Sequence, residues 1–263
     1  MDLGFGGRRV LVVGASAGIG FATAEALAAE GAEVVMASRD AAGIAAAADR
    51  IAAATGRRPA TAVADITREG AAEALLAEVA ARWGALDAVV DAVGGSIRSG
   101  FEALSDADWI GNYTFNVLSA VRVVRAALPL LRKGNAPSVV LLGAAASRMP
   151  YPNQIVSNVH KAGLLGLTKT LAGEYAAEGI RVNCVAPGRT LTRLWTDRAA
   201  KLAAERNVTA EDVIAEFAHE IPLGRFGNPE EIAAMVVWLS SPRASYVTGQ
   251  TVNVDGGIAR GLL

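Results

Sequence analysis

Short runs of β-branched and other apolar residues recur along the chain, and each is followed by an alanine-rich stretch with apolar positions at helical spacing. The strand-forming runs fall at Val10–Val13, Glu33–Ala37, Ala60–Ala64, Ala88–Val90, Ser138–Leu142, Arg181–Ala186 and Thr251–Val254. Helical stretches lie between them at Ile19–Glu30, Ala41–Ala54, Ala71–Trp83, Trp109–Leu131, Gln154–Glu178 and Pro229–Leu239, the first two resting mainly on alanine's propensity. Near-continuous apolar strands alternating with helices describe a parallel sheet covered on both faces. The expected fold class is therefore α/β, a doubly wound parallel sheet of about seven strands. No Pro/Ser-rich linker, composition shift, repeat or block of like charge divides the chain, so one domain is expected to span 1–263. The segment 190–223 breaks the alternation. It follows the sixth strand, and in open α/β sheets ligands bind at the carboxyl ends of strands, so it is expected to be a substrate lid; two surface helices with no part in binding are the plainer alternative.

Composition narrows the classes of function. Apolar residues make up 52% of 263 positions and charged ones 19%, which is core material enough to exclude intrinsic disorder. The net charge of −1 argues against nucleic acid or an anionic membrane as partner and leaves a small-molecule substrate. The single cysteine, Cys184, excludes an internal disulfide framework, and the two histidines, His160 and His219, are too far apart for metal-ligand spacing, so no metal is expected. No stretch reads as approaching the roughly 18 apolar residues of a membrane helix, and a cytoplasmic location is expected.

The first candidate for chemistry follows the first strand directly: Gly14-Ala-Ser-Ala-Gly18-Ile-Gly20, then an apolar helix. Glycines there let the backbone turn tightly and approach a pyrophosphate, whose charge meets amide N–H groups at the helix N-terminus. Between a first strand and a first helix, such a motif points to dinucleotide binding, against the alternative of a tight turn that binds nothing. At the end of the second strand, where an acidic residue would accept from an adenosine ribose, the chain reads Ser38-Arg39. A hydroxyl followed by a guanidinium receives a 2′-phosphate that a carboxylate would repel, which favours NADP(H) over NAD(H). Stacking of Arg39 on adenine, or its pairing with a surface carboxylate, is the competing use, and Asp40 stands next to it.

VGASAGIG at 13–20, Asp65-Ile66 after the third strand, Asn116, Lys161, RVNCVAPG at 181–188 with PGRTLT at 187–192, IPLGRFGNPEEIA at 221–233 and VTGQTVNVDGG at 247–257 together resemble the short-chain dehydrogenase/reductase family over nearly the whole chain. The resemblance implies a single Rossmann-type domain, an NAD(P) cofactor, hydride transfer between nicotinamide and a carbonyl, alcohol or enoyl substrate, and a homotetramer or homodimer. By position it implies that Gly14, Ser16, Gly18, Ile19 and Gly20 hold the pyrophosphate and adjoining ribose, and that Asp65 and Ile66 contact adenine. Gly94 would lie under the nicotinamide-side ribose, with Pro187, Gly188, Thr190 and Thr192 flanking the nicotinamide. Val13 stands where the family usually has threonine, and Asp91-Ala-Val-Gly94 replaces its usual Asn-Asn-Ala-Gly.

The family's chemistry rests on a Tyr-x-x-x-Lys pair on one helix face, a serine after the fifth strand and an asparagine in the fourth long helix. The lysine lowers the phenol's pKa so that a proton can move near neutral pH. In this chain the lysine is Lys161 and the asparagine Asn116, but Ser157 occupies the tyrosine position and Ala144 the serine position. An aliphatic hydroxyl does not titrate near neutral pH, although Ser157 can still donate a hydrogen bond to a substrate oxygen. Tyr151, in the loop after the fifth strand with Ser147, is the expected substitute acid, against the alternative that it packs beside Pro150 and Pro152. His160 points about a third of a turn away from the lysine face and is expected at a helix contact. Tyr113 is equally a core and a site candidate, and Cys184 is expected to be packing.

Three readings follow. The first is an NADP-dependent oxidoreductase with a relocated acid. The second is a catalytically silent nucleotide-binding subunit, in a hetero-oligomer with an active paralogue. The third, a non-redox enzyme on the same fold, has no residue in its favour. Arg148, Arg189 and Arg193 near the lid suit an acidic or phosphate-bearing apolar substrate, unless ion pairs with Asp197 or Glu205 occupy them. The apolar faces of Trp109–Leu131 and Gln154–Glu178, and the C-terminal VDGGIARGLL, are expected to form interfaces.

Overall fold

In the computed structural model, which describes residues 2–261, seven parallel strands form one sheet in the order β3-β2-β1-β4-β5-β6-β7. The strands are β1 (Arg9–Val13), β2 (Glu33–Ser38), β3 (Ala60–Val63), β4 (Ala88–Asp91), β5 (Ser138–Leu142), β6 (Arg181–Pro187) and β7 (Thr251–Val254). Met1 and the last two residues of the C-terminal VDGGIARGLL stretch lie outside the described part. Side chains alternate along each strand, so Leu11, Val13, Val89, Val139 and Leu141 face one layer and Val10, Val12, Val90, Val140 and Leu142 the other.

The first layer is covered by α3 (Ala71–Trp83), α5 (Ser119–Leu131) and α6 (Ile155–Tyr175), and the second by α1 (Gly18–Ala29), α2 (Ala41–Thr55) and α9 (Pro229–Ser240). This is the single-domain, doubly wound α/β Rossmann fold expected from the alternation. Strand order reverses at β1 and β4, which opens a crevice above their carboxyl ends.

The fourth long helix starts earlier than its apolar pattern suggests. Ser105 and Asp108 form a capping box that begins α4 (Asp106–Tyr113), and a π turn over Thr114–Leu118 joins it to α5. Together Asp106–Leu131 form a 26-residue helical stretch that contains an 18-residue window of mean hydropathy 1.4, which does pass the length and composition test for crossing a membrane. That corrects the sequence expectation. Half of the apolar window is buried inside the protein, and Val117, Ala120, Val123, Val124, Ala127 and Leu131 pack in the first core layer, so it is a core helix here.

The segment 190–223 contains two helices, α7 (Arg193–Arg206) and α8 (Ala210–Ala218), and Thr209 and Asp212 cap α8 reciprocally. Trp195 anchors them. Its ring meets Phe217 and Phe226 edge-on with centroids 5.4 and 4.9 Å apart, in a satellite core with Ala145, Ile221 and Ile258.

Candidate active site

Two adjoining cavities run along the carboxyl ends of the strands and share Ala92, Val93 and Gly94. The smaller, about 170 Å³, is lined by Gly14, Ser38, Arg39, Asp65, Ile66 and Thr67. The larger, about 280 Å³, is lined by Ile19, Gly20, Gly94, Pro187, Gly188, Thr190 and Thr192 on one side and by Ala144, Gln154, Ser157, Lys161, Leu194 and Trp195 on the other. Fourteen of the candidate site residues named from the sequence thus fall on one track. Ser16 joins it indirectly, accepting from the Ser38 hydroxyl at 3.1 Å, and Gly18 sits beneath Thr192.

Close approach explains two of the glycines. A Cβ at Gly20 would run into the carbonyl of Gly14, so the turn closes only without one, and α1 then begins with its free amides facing the crevice. A Cβ at Gly94 would strike Lys161 Nζ and come within 2.9 Å of Asn116 Oδ1. The cradle is therefore shaped for a group that approaches backbone, and it fits a dinucleotide.

At the adenosine end, Asp40 caps α2 by accepting from Gly43 N at 3.0 Å, and Asp65 accepts from Thr67 N and Oγ1 at 3.2 and 2.6 Å. The Thr67 bonds hold the Asp65 carboxyl below its usual range. Both carboxylates are occupied, and among the described residues Arg39, which is exposed, makes no ion pair.

At the other end the π turn aims Asn116 inward. Its Oδ1 accepts from Gly95 N at 3.0 Å and its Nδ2 donates to the Asn112 carbonyl and side chain at 3.0 and 3.1 Å. Lys161 is 6% exposed, and its Nζ donates to the Leu142 carbonyl at 2.8 Å. Burial lowers the Lys161 pKa, and the nearby Asp91 carboxylate opposes that fall. Ser157, one turn earlier on α6, donates to the Gly95 carbonyl at 3.1 Å.

Gln154, just before α6, was not singled out from the sequence. Its side chain is among those lining the larger cleft, and its Oε1 accepts from Ser96 at 3.2 Å. The pairing joins segments 58 positions apart, so no local pattern announces it.

The structure does not bring Tyr151 or Ser147 into the cleft lining. The Tyr151 ring packs against the Trp195 cluster with the Arg189 guanidinium 5.8 Å from its centroid, and its hydroxyl is buried with no partner among the described residues. Burial pushes the phenol pKa up, with Asp255 and Glu220 adding to it and Arg189 opposing. His160 takes the helix contact expected of it, with Nδ1 2.9 Å from Asn112 Oδ1 and its ring edge-on to Trp109 and Tyr113. Tyr113 is 43% exposed and outside both cavities, while Cys184 is sealed in the core. Of the arginines near the lid, Arg189 pairs with Glu220 and Arg193 with Asp197; Glu205 pairs instead with Lys201.

The family profile described as enoyl-(acyl carrier protein) reductase matches residues 14–259. The 3-oxoacyl-(acyl-carrier-protein) reductase of Escherichia coli K12 is 32% identical over 256 residues, covering 97% of this chain and 99% of that protein. The 2-keto-3-deoxy-L-fuconate dehydrogenase of Xanthomonas campestris pv. campestris is 33% identical over 252 residues, covering 95% of this chain and 80% of that one. Among solved structures, L-sorbose reductase from Gluconobacter frateurii, complexed with NADPH and L-sorbose, superposes with a TM-score of 0.96 at 31% identity over 100% of both chains. The chain belongs to the short-chain dehydrogenase/reductase family. As a short-chain dehydrogenase/reductase it is of the NAD(P)-dependent oxidoreductase type.

Proposed function

We propose that this short-chain dehydrogenase/reductase is an NADP(H)-dependent ketone reductase whose proton comes from Lys161 in place of a tyrosine. The observation that carries the reading is the position of Lys161: it lines the larger cleft, and among the described residues its Nζ donates to Leu142 O alone. NADPH, when bound, supplies a hydride to the carbonyl carbon. The carbonyl oxygen needs a proton, and a buried ammonium with a lowered pKa gives one up more readily than a solvated lysine. Gln154 offers its amide N–H groups to the developing oxyanion, the task the resemblance gives to a serine where this chain has Ala144. Ser157, where the family's tyrosine is expected, swings its hydroxyl from the Gly95 carbonyl to the substrate oxygen. Tyr151, sealed away with a raised pKa, is set aside as the acid.

At the adenosine end, Gly14, Ser16, Gly18, Ile19 and Gly20 hold the pyrophosphate, Asp65 and Ile66 the adenine, and Ser38 with unpaired Arg39 the 2′-phosphate. The NADPH in the L-sorbose reductase complex supports the cofactor preference. The ketose, keto-acid and oxoacyl substrates in the relatives' names support a carbonyl over an enoyl group. Leu194 and Trp195, from α7, wall the cleft, so the segment 190–223 acts as its lid.

The competing reading, a silent nucleotide-binding subunit of a hetero-oligomer, is favoured by one observation: the Ser157 hydroxyl is committed to Gly95 and Tyr151 is outside the cleft. Calorimetry with NADPH and NADH, followed by single-turnover absorbance with ketones and enoyl thioesters, separates them. NADPH binding with ketone-dependent oxidation that disappears in Lys161→Ala supports the reductase. Tight binding without turnover supports the subunit, and no binding refutes both.

A further inference from the structure

Beneath the cleft, strand register gathers three titratable side chains: Asp91 on β4 stands opposite Leu141 on β5, Leu141 stands opposite Cys184 on β6, and Lys161 of α6 donates its Nζ to the carbonyl of the next residue, Leu142. Asp91 ends β4 and is 3% exposed, Lys161 comes from α6, and Cys184 from β6 is 0% exposed. Asp91 accepts one hydrogen bond, from Val93 N at 3.1 Å, which an asparagine amide oxygen would accept equally well. A sealed carboxylate with so little solvation is unfavourable unless an opposite charge answers it. Among the described residues Lys161 is the one cation whose charge acts on Asp91, and Asp91 the one carboxylate whose charge acts on Lys161. The other groups around Lys161 are neutral. Cys184 is kept a thiol by burial, Asn116 and the Leu142 carbonyl carry no charge, and His160 turns away to Asn112.

We propose that Asp91 is a positioning residue for Lys161, a buried counter-ion whose negative charge holds the ammonium protonated at the floor of the cleft. Burial pushes both groups toward neutrality: it raises the Asp91 carboxyl, which stands at about 6 with the Val93 hydrogen bond and the Lys161 charge both pulling it down, and it lowers the lysine. The carboxylate opposes the second of these. The kinetic consequence rests on the reading of Lys161 as proton source; the electrostatic pairing itself does not.

The chain has only four lysines, Lys133, Lys161, Lys169 and Lys201, and Lys161 alone is buried. Protein labelled with carbon-13 and nitrogen-15 in lysine therefore gives four side-chain signals, three of them exposed internal controls. Titrated from about pH 6 to 11, Lys161 in the wild type should lose its proton below the other three. In Asp91→Asn its midpoint should fall further, by about one pH unit or more, with the other three unmoved. A Lys161 midpoint that stays where it was in folded Asp91→Asn protein overturns the proposal. If Asp91→Asn does not fold, the melting temperatures decide. Asp91→Asn/Lys161→Met removes both charges and should melt above Lys161→Met, which strands the carboxylate; equal or lower melting overturns the pairing. In enzyme with turnover, the alkaline limb of the pH–rate profile should move down with the lysine midpoint in Asp91→Asn. Turnover absent from the wild type refutes the reductase reading and leaves the titration to judge the pairing.

Discussion

Replacing Arg39 with alanine removes the one guanidinium at the end of β2, and the structure says how much that should matter. The neighbouring carboxylates are already engaged, Asp40 in capping α2 and Asp65 with Thr67, so neither loses a hydrogen bond, and Asp65 loses only the smaller pull that the Arg39 charge adds to its Thr67 bonds. The main loss falls on the proposed 2′-phosphate contact. A charge-assisted contact is worth about 1.5–3 kcal/mol, and because Arg39 is exposed the lower end applies. About 1.5 kcal/mol corresponds to a tenfold rise in the Kd for NADPH. NADH lacks the phosphate and should bind Arg39→Ala as it binds the wild type, within about twofold. Isothermal calorimetry with both cofactors at low and high salt reads the ratio directly, and the wild-type preference should itself shrink as salt rises. Equal weakening of both cofactors would refute the phosphate contact and assign Arg39 to adenine stacking. An unchanged NADPH affinity would refute both roles.

Three further outcomes are expected. Gly94→Ala places a methyl group against Lys161 Nζ and Asn116 Oδ1, so turnover should fall at least about a hundredfold while the thermal midpoint changes little, because the strain falls on the cleft side of the sheet. Tyr151→Phe deletes a buried hydroxyl that has no partner among the described residues, so it should leave activity within about twofold and raise stability by up to about 1 kcal/mol; a tenfold loss of activity would return Tyr151 to the role of acid. Asp87, 2% exposed, accepts from Arg9 N at 2.8 Å, from the Arg9 side chain and from Asn135 N at 2.7 Å, and these bonds keep its carboxyl below the usual range against the pull of burial. Its stabilisation is present above about pH 4 and lost as pH falls through the folded value, so Asp87→Asn should melt lower at neutral pH and show a shallower acid limb in melting temperature against pH.

Local pattern carried the sheet. All seven strand runs form; the five inner strands are buried on both faces and so nearly continuously apolar, while the edge strands β3 and β7 are part-exposed, and the Gly14–Gly20 turn was recognisable from its position between β1 and α1. Ends were less legible. β2 reaches Ser38 and β6 reaches Pro187, since ladder pairing with β3 and β7 extends them beyond their apolar residues. The helix α8 carried its own signal in Thr209-x-x-Asp212, as α4 did in Ser105-x-x-Asp108. What the sequence could not convey was direction. Tyr151 and Gln154 lie in the same loop, and only the packing of α7 and α8 turns the first toward Trp195 while Ser96 draws the second to the cleft. The partners of Arg189 were hidden for a similar reason, since Glu220 lies 31 positions away.

The π turn between α4 and α5 sets the phase of everything that follows it. Each residue advances a helix by about 100°, so the wider turn over Thr114–Leu118 resets which side of α5 meets the sheet. Deleting one residue there would restore an ordinary helical repeat and swing the Val123, Val124, Ala127 and Leu131 face away from β4 and β5, or else leave that face in place and carry Asn116 out of the cleft. The two demands are met by a single irregularity, which makes the length of this helix as constrained as any side chain on it. Insertions and deletions within Asp106–Leu131 should be tolerated far less well than point changes on its exposed face.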